Sequence, residues 1–159
     1  MQNIKKFLGY MFATFFGVGF SPIIPGTFGS VASFIAIVPT AYYYGFYGLL
    51  IFAISSFVIG WLSTRIVLKY TEHDPGLIVI DETVGQTITF SLIANMLKGS
   101  FSNWYLYILG FVLFRIFDMT KPLFIGWADR KILNAFGVIF DDILAGLVSG
   151  ICLYLISFI

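Results

Sequence analysis

The sequence predicts an all-α, polytopic integral membrane helical bundle of about five spans plus an N-terminal interfacial or re-entrant helix. Three observations carry this. Hydrophobic residues make up 59% of the 159 positions and charged residues 11%, with a mean hydropathy of +0.96, whereas soluble domains carry about 25% charged residues. The apolar residues lie in long runs separated by short polar or aromatic turns. The charges are grouped at the ends of those runs instead of being spread along them.

At this length residues 1–159 read as one membrane-embedded domain. Nine Lys/Arg against eight Asp/Glu give a net charge of +1, which argues for no nucleic acid as partner. Cys152 stands alone in the last apolar run, so neither a disulfide framework nor a metal-type cysteine spacing exists.

Taken in order, Lys5-Lys6 precede the apolar stretch Phe7 to Phe20, which lacks a cleavage site and is read as retained. At about 14 residues it is shorter than the roughly 20 a straight span needs, hence the interfacial or re-entrant reading. Ser21 to Ser30, SPIIPGTFGS, holds two prolines and two glycines and breaks any helix. Val31 to Tyr44 and Phe46 to Leu62 are apolar runs joined by the aromatic turn Tyr42 to Tyr47, with a kink expected at Pro39. A polar loop through Arg65, Lys69, Glu72, His73 and Asp74 leads to Asp81-Glu82 and a run ending near Leu97. Lys98 to Asn103 is a turn, Trp104 and Tyr105 mark an interface, and the next helix should stop near Thr120 or Lys121 because Pro122 follows. Phe124 to Phe140 reads as an amphipathic loop or short surface helix, and Asp141-Asp142 open a last helix to Phe158.

With the first segment in the interface, the loops at 20–30, 64–82 and 115–142 fall on one side. That side carries every acid and every base except Lys98, so by the positive-inside rule it is cytoplasmic.

A charged residue at mid-membrane costs roughly 2.5–3.5 kcal/mol on insertion scales, so Asp81-Glu82 inside an apolar run needs a local reason. Oxygen-only ligands suit Mg²⁺; the alternative is a pair of first-turn acids favoured by the helix dipole. Asp141-Asp142 could likewise hold a cation or simply cap a helix. On the metal reading the candidate ligands are Asp81, Glu82, Asp141 and Asp142, with Asp118 beside them and Asp81, Glu82, Asp118 and Asp142 as the catalytic candidates. Behind Asp142, Ala145, Gly146, Ser149 and Gly150 form a small-residue face made for tight helix packing.

Arg115 and Asp118 share a helical face and could pair with each other. Arg115, Lys121 and Arg130 could bind phosphate, or snorkel towards anionic lipid; Asp129-Arg130 could be a surface ion pair. Ser21, Thr27 and Ser30 either mark a plain helix break or help a backbone phosphate cradle at a helix N-terminus. His73, the one histidine, is either a hydrogen-bonded structural group or catalytic. Paired histidines, a Cys-x5-Arg arrangement and a P-loop are all missing, so any phosphate hydrolysis here would use metal-activated water.

Phe20 to Ser30, His73-Asp74 with Ile80 to Gly85, Phe114 to Pro122, Ala128 to Arg130, and Gly137 to Gly146 resemble, in the same order, the phosphatidylglycerophosphatase A family. The likeness covers nearly the whole chain. It implies a bacterial inner-membrane, Mg²⁺-dependent lipid phosphatase converting phosphatidylglycerophosphate to phosphatidylglycerol and phosphate, multi-pass, with its active site facing the cytoplasm. The sequence leaves the oligomeric state open. Two other classes remain: a small ion or proton-coupled transporter, which would need polar residues along the depth of several helices, and a structural partner subunit without turnover.

Overall fold

The computed structural model describes residues 2–71 and 76–158. Among these residues the chain forms seven α-helices and no strand; the predicted loop at Glu72 to Pro75, with His73 and Asp74, lies outside the described residues.

Helix α1 (Gln2–Ala13) lies against the far part of α2, where a Cβ built at Gly9 would come within 2.6 Å of Ile66. The chain then reverses. Thr14 organises the turn: its hydroxyl donates to Tyr10 O at 2.7 Å and accepts from Gly17 N at 3.0 Å.

Helix α2 (Pro25–Val67) starts with proline at its first turn, where the missing N–H costs nothing. Its backbone leaves the helical region at Gly45 (φ 59°, ψ −141°), a conformation open essentially only to glycine. Gly29 contacts Val79 and Gly60 contacts Ile80, so the two limbs fold back on each other and both lean on the same point of the chain. The predicted aromatic turn is therefore a hairpin. Its reversal is made by Gly45, while Pro39, where a kink was expected, sits within the first limb.

Helix α3 (Ile80–Ser91) runs down the centre, and Ile78 to Thr87 are all buried. The predicted run to Leu97 is interrupted at Leu92-Ile93 before the single turn α4 (Ala94–Leu97). Helix α5 (Trp104–Thr120) stops where Pro122 requires, with Lys121 in the left-handed region. Helix α6 (Phe124–Lys131) is the expected short amphipathic piece.

Helix α7 (Gly137–Ile156) begins four residues earlier than predicted. Asn134 is the reason: its Oδ1 accepts from the N–H groups of Phe136 (2.9 Å) and Gly137 (3.1 Å) and starts the helix there. Asp141 and Asp142 thus lie in the second turn, buried, and do not cap anything.

Helices α3 and α7 touch backbone to backbone. A Cβ at Gly146 would collide with Gly85 O, one at Gly150 would lie 3.0 Å from Thr89 O, and Thr89 Oγ1 donates to Gly85 O (3.0 Å) and Gly146 O (3.3 Å). The small-residue face has the packing role its composition implies.

Two helices, α2 and α7, are long and apolar enough to cross a membrane; α3 and α5, at 12 and 17 residues, fall short of that length. Polarity is inverted relative to a soluble protein. Thr83, Gln86, Thr87, Thr89 and Ser149 are buried, while Ile35, Ile51, Ile54, Ile108 and Ile151 face outwards, the arrangement expected where the solvent is hydrocarbon.

Candidate functional site

Four backbone features bring the site together. The N–H of Val79 donates to Ala13 O at 2.9 Å, which fixes where α3 begins and so where Asp81 and Glu82 stand in its first turn. The close seam between α3 and α7 brings Asp142 alongside them; its carbonyl would be 2.7 Å from a Cβ at Gly85. The first turn of α2 completes one wall, where a Cβ at Gly26 would run into Glu82 Oε1. The last two turns of α5 supply Arg115 and Asp118.

The result is a cleft of about 580 Å³ lined by Pro25, Gly26, Asp81, Glu82, Asp118, Lys121, Asp129, Arg130, Asp141 and Asp142. Within it, carboxylate oxygens of Asp81, Glu82 and Asp142 all lie within 4.8 Å of one another, and all three residues are buried. Three carboxylates at that spacing repel unless a cation joins them. The cations present do not suffice. Arg115 Nη1 stands 3.9 Å from Glu82 Oε1 and donates to Asp118 Oδ2 at 2.7 Å, while Glu82 Oε2 has no hydrogen-bond partner. An unpartnered, buried carboxylate oxygen is costly, and a hard divalent cation with oxygen ligands satisfies such a set. The donor set fits a metal.

Asp141, expected as a fourth metal ligand, lines the same cleft but is not one of the three within 4.8 Å. Its Oδ2 accepts from Lys121 Nζ at 2.8 Å and its Oδ1 has no partner. Lys121 also donates to Asp129. Burial works against the Lys121 ammonium, but its hydrogen bonds to Asp129 and Asp141 outweigh this and raise its pKa above the ordinary lysine value. Lys121 is therefore a fixed positive charge at the rim of the cleft.

The other predicted residues divide. Arg115 and Asp118 pair, as their spacing allows, and Arg115 also donates to Ser30 Oγ at 3.4 Å. Arg130 lines the cleft; its expected pairing with Asp129 is replaced by the bond between Asp129 and Lys121. Ser21 donates to Ile23 O, and neither it nor Thr27 lines the cleft. Sequence reasoning missed Gly26 as a packing requirement of Glu82 and Asp129 as the anchor of Lys121. The proline and glycine pair at 25–26 was the available signal for the first; the second has none, because the partners come from separate helices.

A family model for phosphatidylglycerophosphatase A matches residues 11–157. Phosphatidylglycerophosphatase A of Escherichia coli is 36% identical over 154 residues, covering 93% of this chain and 83% of that protein. Its namesake in Haemophilus influenzae is 34% identical over 150 residues, covering 94% and 88%. A putative phosphatidylinositol-3-phosphatase of Bacteroides thetaiotaomicron is 34% identical over 153 residues, covering 91% and 90%. No solved structure matches.

Proposed function

Since this chain belongs to the phosphatidylglycerophosphatase A family, we propose that its buried acidic cleft hydrolyses the terminal phosphate ester of phosphatidylglycerophosphate, releasing phosphatidylglycerol and phosphate. The observation that carries the assignment to this cleft is the convergence of Asp81, Glu82 and Asp142 within 4.8 Å, beside the basic residues Arg115, Lys121 and Arg130. A phosphate monoester needs positive charge on its oxygens and a water placed in line with the leaving oxygen.

In this reading Asp81, Glu82 and Asp142 hold Mg²⁺, which when bound supplies the charge that activates water and offsets the phosphate oxygens. Arg115, oriented by Asp118 and Ser30, and Lys121, oriented by Asp129 and Asp141, face the phosphate with fixed geometry. Arg130 adds a third cation at the rim. The first N–H groups of α2, which have no intrahelical acceptor, point the helix dipole at the same cleft. Asp141 acts through Lys121 instead of through the metal.

The protein sits in the bacterial cytoplasmic membrane and crosses it five times: twice in the α2 hairpin, once in α3 with α4, once in α5 and once in α7. Support comes from the ends of these segments. Gly99 N donates to Tyr42 O at 2.9 Å and Tyr42 stacks on Phe101 at 4.5 Å, so the turns at 45 and 98–103 share one end. Gly26, Gly60 and Ile80 share the other. The end with the cleft holds the excess of Lys and Arg and faces the cytoplasm. The transporter alternative needs polar groups reaching the far end, yet Ile37, Leu49, Ile93 and Leu97 form a closed apolar core there.

The test is phosphate release by the detergent-purified protein from phosphatidylglycerophosphate, with phosphatidic acid and phosphatidylinositol-3-phosphate alongside, in Mg²⁺ and in excess chelator. Release selective for the first and abolished by chelator is expected. Preference for the inositol lipid would move the substrate to that of the Bacteroides relative, and no release from any lipid by folded, Mg²⁺-supplied protein would end the phosphatase reading.

A further inference from the structure

Around the cleft the α2–α3, α3–α7 and α5–α7 seams are closed, whereas the backbones of α2 and α5 approach each other closely almost nowhere. Side chains bridge them instead: Arg115 Nη1 donates to Ser30 Oγ at 3.4 Å at the cleft end, and one turn further on the Phe34 ring meets Tyr107 and Phe111. Below that bridge an apolar groove of about 250 Å³ opens to the outside, lined by Val31, Phe34, Tyr107, Ile108 and Phe111. We propose that this groove is a lateral portal that takes one acyl chain of the lipid substrate while the headgroup occupies the cleft; this rests on the lipid phosphatase reading.

The register of the two helices supports it. Helix α2 leaves the cleft as it proceeds and α5 arrives at it, so Val31, five residues after Gly26, and Phe111, four residues before Arg115, both lie roughly 6–8 Å below the cleft. The groove therefore starts at the depth where a lipid held by its terminal phosphate passes from headgroup to chain. Its floor is rigid: the Phe34 ring packs on Phe90 at 5.5 Å and on Tyr107 and Phe111 at 6.1 Å each. Its rim, Val31 and Ile108, is exposed. Arg115 stands between the two compartments, a cation at the junction of a polar cleft and an apolar slot. A molecule with a phosphate at one end and an alkyl chain at the other matches that order; a soluble phosphate ester would leave the slot unused.

A chain in this slot leaves one apolar surrounding for another, so selectivity comes from shape and not from a hydrophobic gain. Filling the slot should then act on long-chain substrate alone. Val31→Trp and Ile108→Trp in the full-length protein are expected to lower kcat/KM for long-chain phosphatidylglycerophosphate by about tenfold, mainly through KM, and to leave a short-chain analogue within about twofold. Ile151→Trp, on the outer face of α7, should change neither. Equal effects on both substrates, or none on either, would overturn the portal. A second measurement does not depend on turnover: a phospholipid with a photoreactive acyl chain, in liposomes with the wild-type protein, should label residues 31–34 and 107–111 well above residues around 151. Uniform labelling overturns the portal even if the enzyme is active, whereas enriched labelling with no phosphate release would count against the phosphatase reading and not against the groove.

Discussion

The two ends of the helix bundle are built from the same helices by opposite rules. At the cleft end, side chains of Asp81, Glu82 and Asp142 are buried without enough cations to balance them, and Glu82 Oε2, Asp141 Oδ1 and Arg115 Nε have no hydrogen-bond partner. At the other end the chain turns on Gly45, Tyr42 stacks on Phe101, and Lys98 carries the lone charge. The contrast separates what each end is for. Unbalanced buried charge costs stability and persists only where a ligand or reaction uses it, whereas stacked rings and a glycine reversal favour the fold and nothing else. Changes at the cleft end should therefore lower turnover with little loss of stability, and changes at the far end should do the reverse.

The largest effect on turnover is expected from Asp81→Asn and Asp142→Asn. Each removes a candidate metal ligand and relieves carboxylate repulsion, so activity should fall by about 10²–10³-fold or more while the thermal midpoint stays level or rises. Phosphate release and a thermal melt on the same preparations check this; a fall in both would mean that these acids serve the fold. Next comes Gly146→Val, at the point where α7 touches the Gly85 carbonyl. Overpacking there should cost about 1–3 kcal/mol and also move Asp142 away from Asp81, so this variant should lose stability and turnover together.

Lys121→Met should lower turnover less, about tenfold, because Arg115 and Arg130 remain. Its pH dependence has a definite sign. The folded pKa of Lys121 is raised, so its contribution to stability is fully present below the ordinary lysine pKa and is lost as pH rises through the higher folded value. The stability gap between wild type and Lys121→Met should stay constant from about pH 7 to 9 and close only in strong alkali. A gap that closes near neutrality would show that the pairing of Lys121 with Asp129 and Asp141 does not stabilise the protein.

How much of this was legible in the sequence depended on whether neighbours in space were neighbours in the chain. Asp81-Glu82, Asp141-Asp142 and the pair Arg115 and Asp118 stood out because each is local and each interrupts an apolar run. The hairpin at Gly45 was legible as an aromatic turn for the same reason. The beginning of α7 was misplaced because asparagine and aspartate are comparable caps, and only the structure shows Asn134 holding the N–H groups of Phe136 and Gly137. The different surroundings of Asp141 and Asp142 were not legible. Adjacent helical residues point about 100° apart, and which of them meets Lys121 and which joins Asp81 and Glu82 within 4.8 Å is decided by how α7 is rotated against α3, at the seam where Gly146 meets Gly85.

The smallest effect on turnover belongs to the far end. Phe101→Ala removes the ring stacked on Tyr42 at 4.5 Å but leaves the backbone bond from Gly99 N to Tyr42 O. The stacked pair is worth about 0.5–1.5 kcal/mol beyond the area it buries, so the melt should shift down measurably. Turnover should stay within about twofold, because the cleft end is held by its own contacts, the α3–α7 seam at Gly85 and Gly146 and the bond from Val79 N to Ala13 O. If Phe101→Ala lowers turnover as far as Lys121→Met does, the far end must set the position of the cleft through α3 and α5, and the two ends are one cooperative unit and not two independent designs.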